Sequence, residues 1–179
     1  MRMNKRIQSC AAESHSFLKQ LDRAFVWGVF DVFHEGHESF LRWARKQTRF
    51  LYVVVLPDEI VRKAKGRYPI QSAEERLLNI VNLGFVDSAM VDCVEWGLHS
   101  LAAVKPTAVL LGKEQPEKWV VITERLLGIT LETRRCPSKG PRHTTDIIER
   151  YGAGQLRRLG SVGVLADFES RLKAGVHED

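Results

Sequence analysis

Two histidines lie three positions apart, around a glycine, in the segment "GVFDVFHEGHESFLRWARK" at residues 28–46. This segment joins an apolar run to an amphipathic one, which predicts a strand, a turn and then a helix. The first turn of a helix favours an anion, because its backbone N–H groups lack helical partners and the helix dipole is positive there. Gly36 would let such a ligand approach the backbone, and His34 and His37 could direct ring N–H groups at charge on a phosphorus centre. The residue types and their spacing therefore indicate phosphate chemistry.

Two simpler interpretations of the histidine pair remain open. The rings could belong to surface histidines without a chemical role, or they could form a metal-binding pair at helical spacing. A metal would need further protein ligands. Asp31 and Glu35 are available for this in the sequence, although no spacing selects them.

The composition indicates one compact domain. The chain has 179 residues, of which 44% are hydrophobic, and this is enough for one substantial core. Its net charge of +5 suits a polyanionic partner such as a nucleotide, and a solvated basic surface would explain the charge equally well. The three cysteines have no metal-ligand or redox spacing, which favours reduced thiols. Without a signal-like N-terminal segment or an apolar run of about 20 residues, we expect a cytoplasmic protein that does not enter a membrane.

Strands and helices are predicted to alternate along the chain. Apolar or alternating runs predict strands at residues 24–30, 50–56, 86–91, 107–112 and 129–135, and periodic patterns predict helices at 37–46, 72–84, 95–105, 116–128 and 144–151. The helix at 72–84 has the clearest limits, because Ser72 and Glu75 form a capping-box pattern and Gly84 would end it. This alternation predicts an α/β fold with a doubly wound, mostly parallel sheet, in which ligands bind beyond the carboxyl ends of the strands.

A basic segment, "VRKAKGR" at residues 61–67, follows the second predicted strand. We expect it to form a loop at the edge of the sheet. Transfer at a phosphorus centre depends mainly on positioning and on neutralising negative charge, so cations are needed near the phosphates. The candidates are Arg62, Lys63, Lys65 and Arg67. A basic loop that simply faces water is the alternative interpretation.

The string "GVFDVFHEGH" resembles the GxFDxxHxGH motif of the cytidylyltransferase-like nucleotidyltransferases. This family includes glycerol-3-phosphate and phosphocholine cytidylyltransferases, heptose phosphate adenylyltransferases and archaeal FAD synthases. Residues 63–91 are similar to its lysine-containing loop and "ER" helix, and "HTTDII" at 143–148 resembles its "STT" segment. The resemblance implies a Rossmann-like nucleotidyltransferase domain at 24–151, an N-terminal extension at 1–23 and a C-terminal helical extension at 152–179.

The resemblance also implies an activity and a set of site residues. The enzyme would transfer a nucleoside monophosphate from ATP or CTP to a small phosphorylated acceptor, a sugar or polyol phosphate, and release pyrophosphate. Mg²⁺ would be bound through the triphosphate without protein ligands, nucleic acid would not be a partner, and the protein would form a homodimer. The catalytic residues would be His34, His37, Lys63 and Lys65. The nucleotide would be bound by Gly28, Val29, Phe30, Asp31, Gly36, Arg76, Gly112, Arg142, Thr144 and Thr145.

Several of these positions have structural alternatives or depart from the family. An ion pair within the protein competes with substrate contact at Arg76, and helix capping alone would explain Thr144 and Thr145. Ser138 stands where glycerol phosphate cytidylyltransferases have an arginine, and His143 stands where the family has serine. These departures leave the identity of the acceptor open.

The choice of nucleotide follows from one further stretch. "KGRYPIQSAEER" at 65–76 is closer to the adenylyltransferases and FAD synthases of the family than to its glycerol phosphate cytidylyltransferases, which favours ATP. The alternatives are a CTP-dependent cytidylyltransferase of the glycerol-3-phosphate type and a catalytically degenerate relative that binds a nucleotide or RNA. A class I aminoacyl-tRNA synthetase has a related histidine turn, but the chain contains no lysine-serine-lysine loop.

Overall fold

Five strands and seven α-helices alternate in the computed structural model, which describes residues 20–137 and 144–158. The strands are β1 (Leu21–Gly28), β2 (Thr48–Val55), β3 (Ser88–Val91), β4 (Ala108–Leu111) and β5 (Glu132–Arg135). The helices are α1 (Glu35–Gln47), α2 (Asp58–Lys65), α3 (Ala73–Val81), α4 (His99–Val104), α5 (Lys118–Leu127), α6 (Thr144–Tyr151) and α7 (Ala153–Arg158), with a 3₁₀ helix at Val94–Trp96. Within the described ranges, no helix has the length and apolar composition needed to cross a membrane.

β1 lies in the middle of a parallel sheet with the strand order β3-β2-β1-β4-β5. It pairs with β2 from Leu21 opposite Thr48 to Gly28 opposite Val55, and with β4 on its other side. The order of the strands reverses at β1, and ligands of such sheets bind beyond the carboxyl ends of the strands at this switch point. The predicted doubly wound α/β fold is confirmed, and its switch point leads directly into the histidine turn.

Helices bury both faces of the sheet. α1 and α3 cover one face through Leu41 and Ile80, whereas α4 covers the other through Leu101, together with α5. Consecutive residues of β1, such as Phe25 and Val26, therefore belong to opposite cores. A strand that is buried on both sides reads as a continuous apolar run, which is the pattern of β1 and β2.

The predicted capping box of α3 is present. Ser72 Oγ accepts a hydrogen bond from the Glu75 backbone N–H at 3.3 Å, and Glu75 Oε2 accepts one from the Ser72 N–H at 2.8 Å. The helix ends at Val81 rather than at Gly84, because Asn82 already forms its C-cap. Gly84 instead provides a positive φ of 71° in the following turn.

The basic segment is mostly helical, so the prediction of a loop was wrong. Residues 61–65 form the second half of α2. Asp58 and Glu59 lie in the first turn of this helix and the cations lie in its last turn, an arrangement that complements the helix dipole. Gly66 ends the helix with a left-handed φ of 69°.

The helix predicted at 95–105 is divided into two. The 3₁₀ helix ends at Gly97, which has a φ of 80°, and α4 begins only at His99. Leu98, between them, also has a positive φ of 53°. The periodicity did not show this break, because Leu98 and Leu101 are three residues apart and both buried, as they would be in a continuous helix.

Some predictions concern parts of the chain outside the described residues, namely 1–19, 138–143 and 159–179. They include most of the N-terminal extension, the C-terminal extension beyond α7, and the assignment of Arg142 to the nucleotide site. The side chain of Thr144 belongs to the same group.

A buried arginine binds backbone carbonyl groups just after the carboxyl ends of β1 and β2. Arg76, on α3, is fully buried. Its guanidinium donates to the carbonyl oxygens of Val29 at 2.5 Å, Leu56 at 2.8 Å and Gln71 at 3.1 Å. It also forms an ion pair with Asp58 at 2.5 Å, at the start of α2. These contacts favour a structural role for Arg76, since a buried charge is tolerated only when protein partners replace its hydration.

Replacing this guanidinium should destabilise the whole fold. We expect Arg76→Met to lower the free energy of unfolding by about 3 kcal/mol, because three carbonyl groups and Asp58 lose their partner at once. The matched control is Arg42→Met, since Arg42 pairs with Glu38 on the exposed surface of α1. That change should cost less than about 1 kcal/mol. Urea unfolding followed by circular dichroism measures both, and equal losses would contradict the role given to Arg76.

Candidate active site

The turn between β1 and α1 has an unusual backbone conformation. Phe30 and Val32 both have positive φ angles, 55° and 45°. This region is strained for residues with side chains, and most of all for a β-branched valine, so surrounding contacts must hold the turn in place. Gly28 before it leaves room for the Phe30 ring, because a Cβ there would lie 2.8 Å from that ring.

Asp31 and Gln71 supply those contacts. The Asp31 carboxylate is buried and accepts hydrogen bonds from the backbone N–H groups of Ile70 and Gln71, each at 3.0 Å. In return, Gln71 Oε1 accepts a hydrogen bond from the Val32 N–H at 3.1 Å. The geometry favours a positioning role for Asp31, which was predicted to bind the nucleotide, over direct contact with a ligand.

His34 is the N-cap of α1 and is held in one orientation. Its Nδ1 accepts a hydrogen bond from the Gly36 backbone N–H at 3.1 Å, and the residue is 5% exposed. A nitrogen that accepts carries no proton, so the neutral ring has its proton on Nε2. The capping bond therefore selects the tautomer whose Nε2–H can donate to a phosphate oxygen.

His37 lies against His34. The two ring centroids are 3.8 Å apart, with an angle of 25° between the ring planes. Phe30 and Phe33 flank His37 at centroid distances of 5.4 and 5.5 Å. The predicted pair is thus brought together, and aromatic packing restricts how the His37 ring can turn.

The helical form of the basic segment distinguishes its two lysines. Lys65 lies four residues after the buried Val61, about 40° around the helix, whereas Lys63 lies about 160° away from Val61. Desolvation lowers the pKa of Lys65 and Arg67 lowers it further, whereas Asp31 acts in the opposite direction. Of these groups, Asp31 belongs to the histidine turn, so the helix phase together with this interaction favours Lys65 over Lys63 as the lysine of the candidate site.

The end of β4 is fixed by two residues that the sequence did not indicate. The Gly112 N–H donates to Gln115 Oε1 at 2.7 Å, and Gln115 Nε2 donates to the Trp27 carbonyl of β1 at 2.8 Å. Arg135 of β5 donates to the carbonyl oxygens of Gly112 at 3.0 Å and Gln115 at 2.8 Å. Neither residue belongs to a sequence motif. Gln115 contacts Trp27, and Arg135 contacts Gly112, only once the parallel sheet has formed.

α6 and α7 close over the histidine turn. Val32, Ile147 of α6 and Leu156 of α7 form a small buried cluster. This packing brings α6, which begins at Thr144, to the same edge of the sheet as the turn. Thr145 is exposed near the start of that helix. The assignment of both threonines to the nucleotide remains a prediction.

The site contains no evident metal centre of its own. Among the described residues, no three or more His, Cys, Asp or Glu side chains are grouped to hold a metal ion. What the turn does offer is a helix N-terminus, two imidazoles and a nearby ammonium group. This combination can bind phosphates and stabilise negative charge that develops on them.

Comparison with known proteins identifies the family. The family model described as Cytidylyltransferase-like matches residues 25–150. This chain belongs to the cytidylyltransferase-like family. The predicted family is therefore confirmed, and the matched residues include the whole histidine turn and α6 up to residue 150.

Several known proteins are similar to the chain over most of their own length. The FAD synthase of Pyrococcus horikoshii is 35% identical over 134 residues, which cover 72% of this chain and 90% of that protein. The FAD synthase of Methanopyrus kandleri is 36% identical over 147 residues, which cover 75% and 97%. A solved structure, the lipopolysaccharide core biosynthesis protein from Thermoplasma volcanium, is 33% identical with a TM-score of 0.58, covering 66% of this chain and 98% of that one.

Membership of this family makes the protein a nucleotidyltransferase, as predicted. Its substrates are a nucleoside triphosphate and a phosphorylated small molecule. The oligomeric state and the roles of individual residues stay predictions.

The two lysines of α2 provide a matched pair for mutation. We expect Lys65→Met to weaken binding of a nucleoside triphosphate or phosphorylated acceptor by about 1.5–3 kcal/mol, because a charge-assisted hydrogen bond is lost. Lys63→Met, on the opposite side of the helix, should leave binding nearly unchanged. Isothermal titration calorimetry measures both, and a larger loss in Lys63→Met would overturn the assignment.

The lowered pKa of Lys65 adds a pH signature to this test. The ammonium group loses its proton at a lower pH than an ordinary lysine does, so phosphate binding should weaken earlier as the pH rises. Lys65→Arg keeps its charge throughout, since the guanidinium does not titrate in this range. It should therefore move the alkaline loss of binding to higher pH.

Proposed function

We propose that this nucleotidyltransferase transfers AMP from ATP to FMN and releases FAD and pyrophosphate. The observation that carries the proposal is the similarity to two FAD synthases over 90% and 97% of those proteins. A likeness of that extent runs through nearly the whole of both proteins, which supports a shared acceptor. The acceptor then differs from the sugar or polyol phosphate expected from the sequence, while ATP agrees with the "KGRYPIQSAEER" pattern.

The reaction is a displacement at phosphorus. A phosphate oxygen of FMN attacks the α-phosphorus of ATP and forms the new P–O–P link of FAD. The bond between the α-phosphorus and the oxygen bridging to the β-phosphorus breaks, and pyrophosphate leaves with that electron pair. Negative charge grows on the oxygens around the α-phosphorus and on the leaving group, so donors fixed at those positions accelerate the step.

The histidine turn supplies such donors in fixed orientations. His34 presents its Nε2–H because its Nδ1 is the helix cap. His37 is stacked on it at 3.8 Å and flanked by phenylalanine rings. The N-terminus of α1 adds its dipole, and Lys65 provides a positive charge for the phosphates of both substrates. Because no group has to reorganise during the reaction, this arrangement suits transition-state stabilisation.

Mg²⁺ is proposed to bind the phosphate oxygens of ATP, where it would neutralise charge on the departing pyrophosphate. The donor set of the turn fits binding through the nucleotide rather than through protein carboxylates. Asp31, its buried carboxylate, already accepts hydrogen bonds from Ile70 and Gln71. The chain's own part is then to hold the phosphates that carry the ion.

The substrates can be tested directly. ATP, CTP, GTP and UTP are each incubated with FMN, glycerol 3-phosphate or a heptose phosphate, and pyrophosphate release is measured together with chromatography of the product. We expect turnover with ATP and FMN, and a product that co-elutes with FAD. Release that requires CTP and glycerol 3-phosphate would instead assign the protein to the cytidylyltransferases. If no combination releases pyrophosphate, the result would support a catalytically degenerate binding protein.

A histidine variant tests the mechanism. His37→Ala should lower kcat by about 10²-fold or more with little change in the affinity for ATP, because the lost donor acts mainly in the transition state. His37 is a cleaner choice than His34, whose replacement would also remove a helix cap. The exposed His99 of α4 gives the control, and His99→Ala should keep wild-type kinetics. Near-normal kcat in His37→Ala would remove the proposed role.

A further inference from the structure

An apolar cleft lies on the face of the sheet opposite α1. Its floor is formed by β1 and β2, including Trp27 and Val54, and its walls come from α2, the 3₁₀ helix, α4 and α5. The cavity has a volume of about 160 Å³. None of the predicted site residues lines it, so the histidine turn does not account for it.

The cleft reaches the carboxyl ends of the strands beside the histidine turn. Trp27 lines it and directly precedes Gly28, whose carbonyl accepts a hydrogen bond from the Leu56 N–H at 3.0 Å. Leu56 lines it as well. On α2, Ile60 and Ala64 form one stripe along the wall of the cleft. One end of a ligand bound in the cleft would therefore lie next to the start of the histidine turn.

α2 separates two chemical environments. Ile60 and Ala64 face the cleft, while Val61 and Lys65 form the neighbouring stripe, about 100° further around the helix. A molecule with an apolar body in the cleft and a phosphate at one end could place that phosphate near Lys65. The same rigid helix would then position both parts of the molecule.

The lining selects against polar acceptors. Within the described residues, no lysine, arginine or histidine lines the cleft, and the acidic Glu95 does. Desolvation raises the pKa of the buried Cys93, so its thiol stays neutral and adds to the apolar surface. A phosphate or a polyhydroxylated sugar would lose hydration here without gaining enough partners. Two indoles, of Trp27 and Trp119, instead offer flat surfaces for an aromatic ring.

The size agrees with partial burial of a fused ring system. An apolar protein cavity of about 150 Å³ is large enough for one benzene molecule. The cleft, at about 160 Å³, can thus enclose one ring and leave the remainder of a larger system at its open side.

We infer that the cleft binds the isoalloxazine ring of the acceptor, with the dimethylbenzene part inward and the ribityl phosphate directed past α2 towards Lys65 and the histidines. This assignment rests on the proposed function, because it takes FMN as the acceptor. It adds the position of the ring and the residues that select it. The acidic Glu95 on the cleft and the cations at the end of α2 both orient the phosphate away from the cleft.

The test uses the loss of flavin fluorescence that stacking on an indole produces. The full-length protein is titrated with FMN and with lumiflavin, which has the ring but no phosphate, and ATP binding is measured by calorimetry. Ala64→Phe places a phenyl group into the cleft from the exposed side of α2 without removing a contact. Ala103→Phe, the same change at an exposed position of α4 that does not line the cleft, is the matched control.

The expected result is a selective effect on flavin. Ala64→Phe should weaken the affinity for FMN and for lumiflavin by about tenfold or more, equivalent to about 1.4 kcal/mol, and leave the affinity for ATP within about twofold. Ala103→Phe should match the wild type. In the wild type, lumiflavin should displace FMN and should not displace ATP.

The outcomes separate the two proposals. If the wild type makes FAD and Ala64→Phe keeps its affinity for FMN, the cleft is not the ring site although the proposed function stands. If the wild type makes no FAD but binds lumiflavin in a way that Ala64→Phe abolishes, the function is wrong and the aromatic site is supported. If Ala64→Phe also loses ATP binding, a second variant, Trp119→Leu, tests whether the cleft binds the ring. It must reduce both the fluorescence quenching and the affinity for lumiflavin while ATP still binds, and unchanged quenching would overturn the assignment.

Discussion

The buried guanidinium of Arg76 links the segments that leave the carboxyl ends of β1 and β2. It is bonded to the carbonyl of Val29, where the histidine turn begins, and to the carbonyl of Leu56, where the chain enters α2. Its ion pair with Asp58 adds the first turn of α2 to the same arrangement. The histidines and Lys65 come from these two segments, so this residue of α3 helps to set the relative position of the imidazoles and the ammonium group.

The strained turn is stable only because distant parts of the chain hold it. Positive φ angles at Phe30 and Val32 cost free energy, and hydrogen bonds to Asp31 and from Val32 to Gln71 offset that cost. Val32 also packs against Leu156, which lies beyond the predicted domain end at residue 151. Residues that support the histidine turn thus lie far from it in sequence. These contacts hold the two imidazoles in place before a substrate binds. Electrostatic stabilisation of a transition state requires such fixed groups.

The sequence predicted the features that depend on local patterns. Alternating apolar runs and the capping box of Ser72 and Glu75 were sufficient for the sheet, the order of the elements and the turn that carries the histidines. The patterns could not reveal that residues 61–65 are helical, since a dense basic run gives little apolar periodicity. The choice between Lys63 and Lys65 depends on the phase of that helix. The roles of Arg76 and Asp31 depend on partners far away in the chain, and the cleft combines residues from β1, β2 and four helices.

The proposed phosphate site and the apolar cleft lie on neighbouring stripes of α2, an arrangement that would let one fold keep its reaction and change its acceptor. The proposed phosphate site consists of the histidine turn, the N-terminus of α1 and Lys65, and none of these lines the apolar cleft. Substitutions of residues in the cleft could therefore select another acceptor body without disturbing the donors around the phosphorus atom. Because Ile60 and Ala64 share a helix with Lys65, the body and the phosphate of the acceptor are aligned by one rigid element. In the proposed complex, a ring held in the cleft would direct its phosphate towards the histidines, so that binding of the apolar part would contribute to catalysis by positioning.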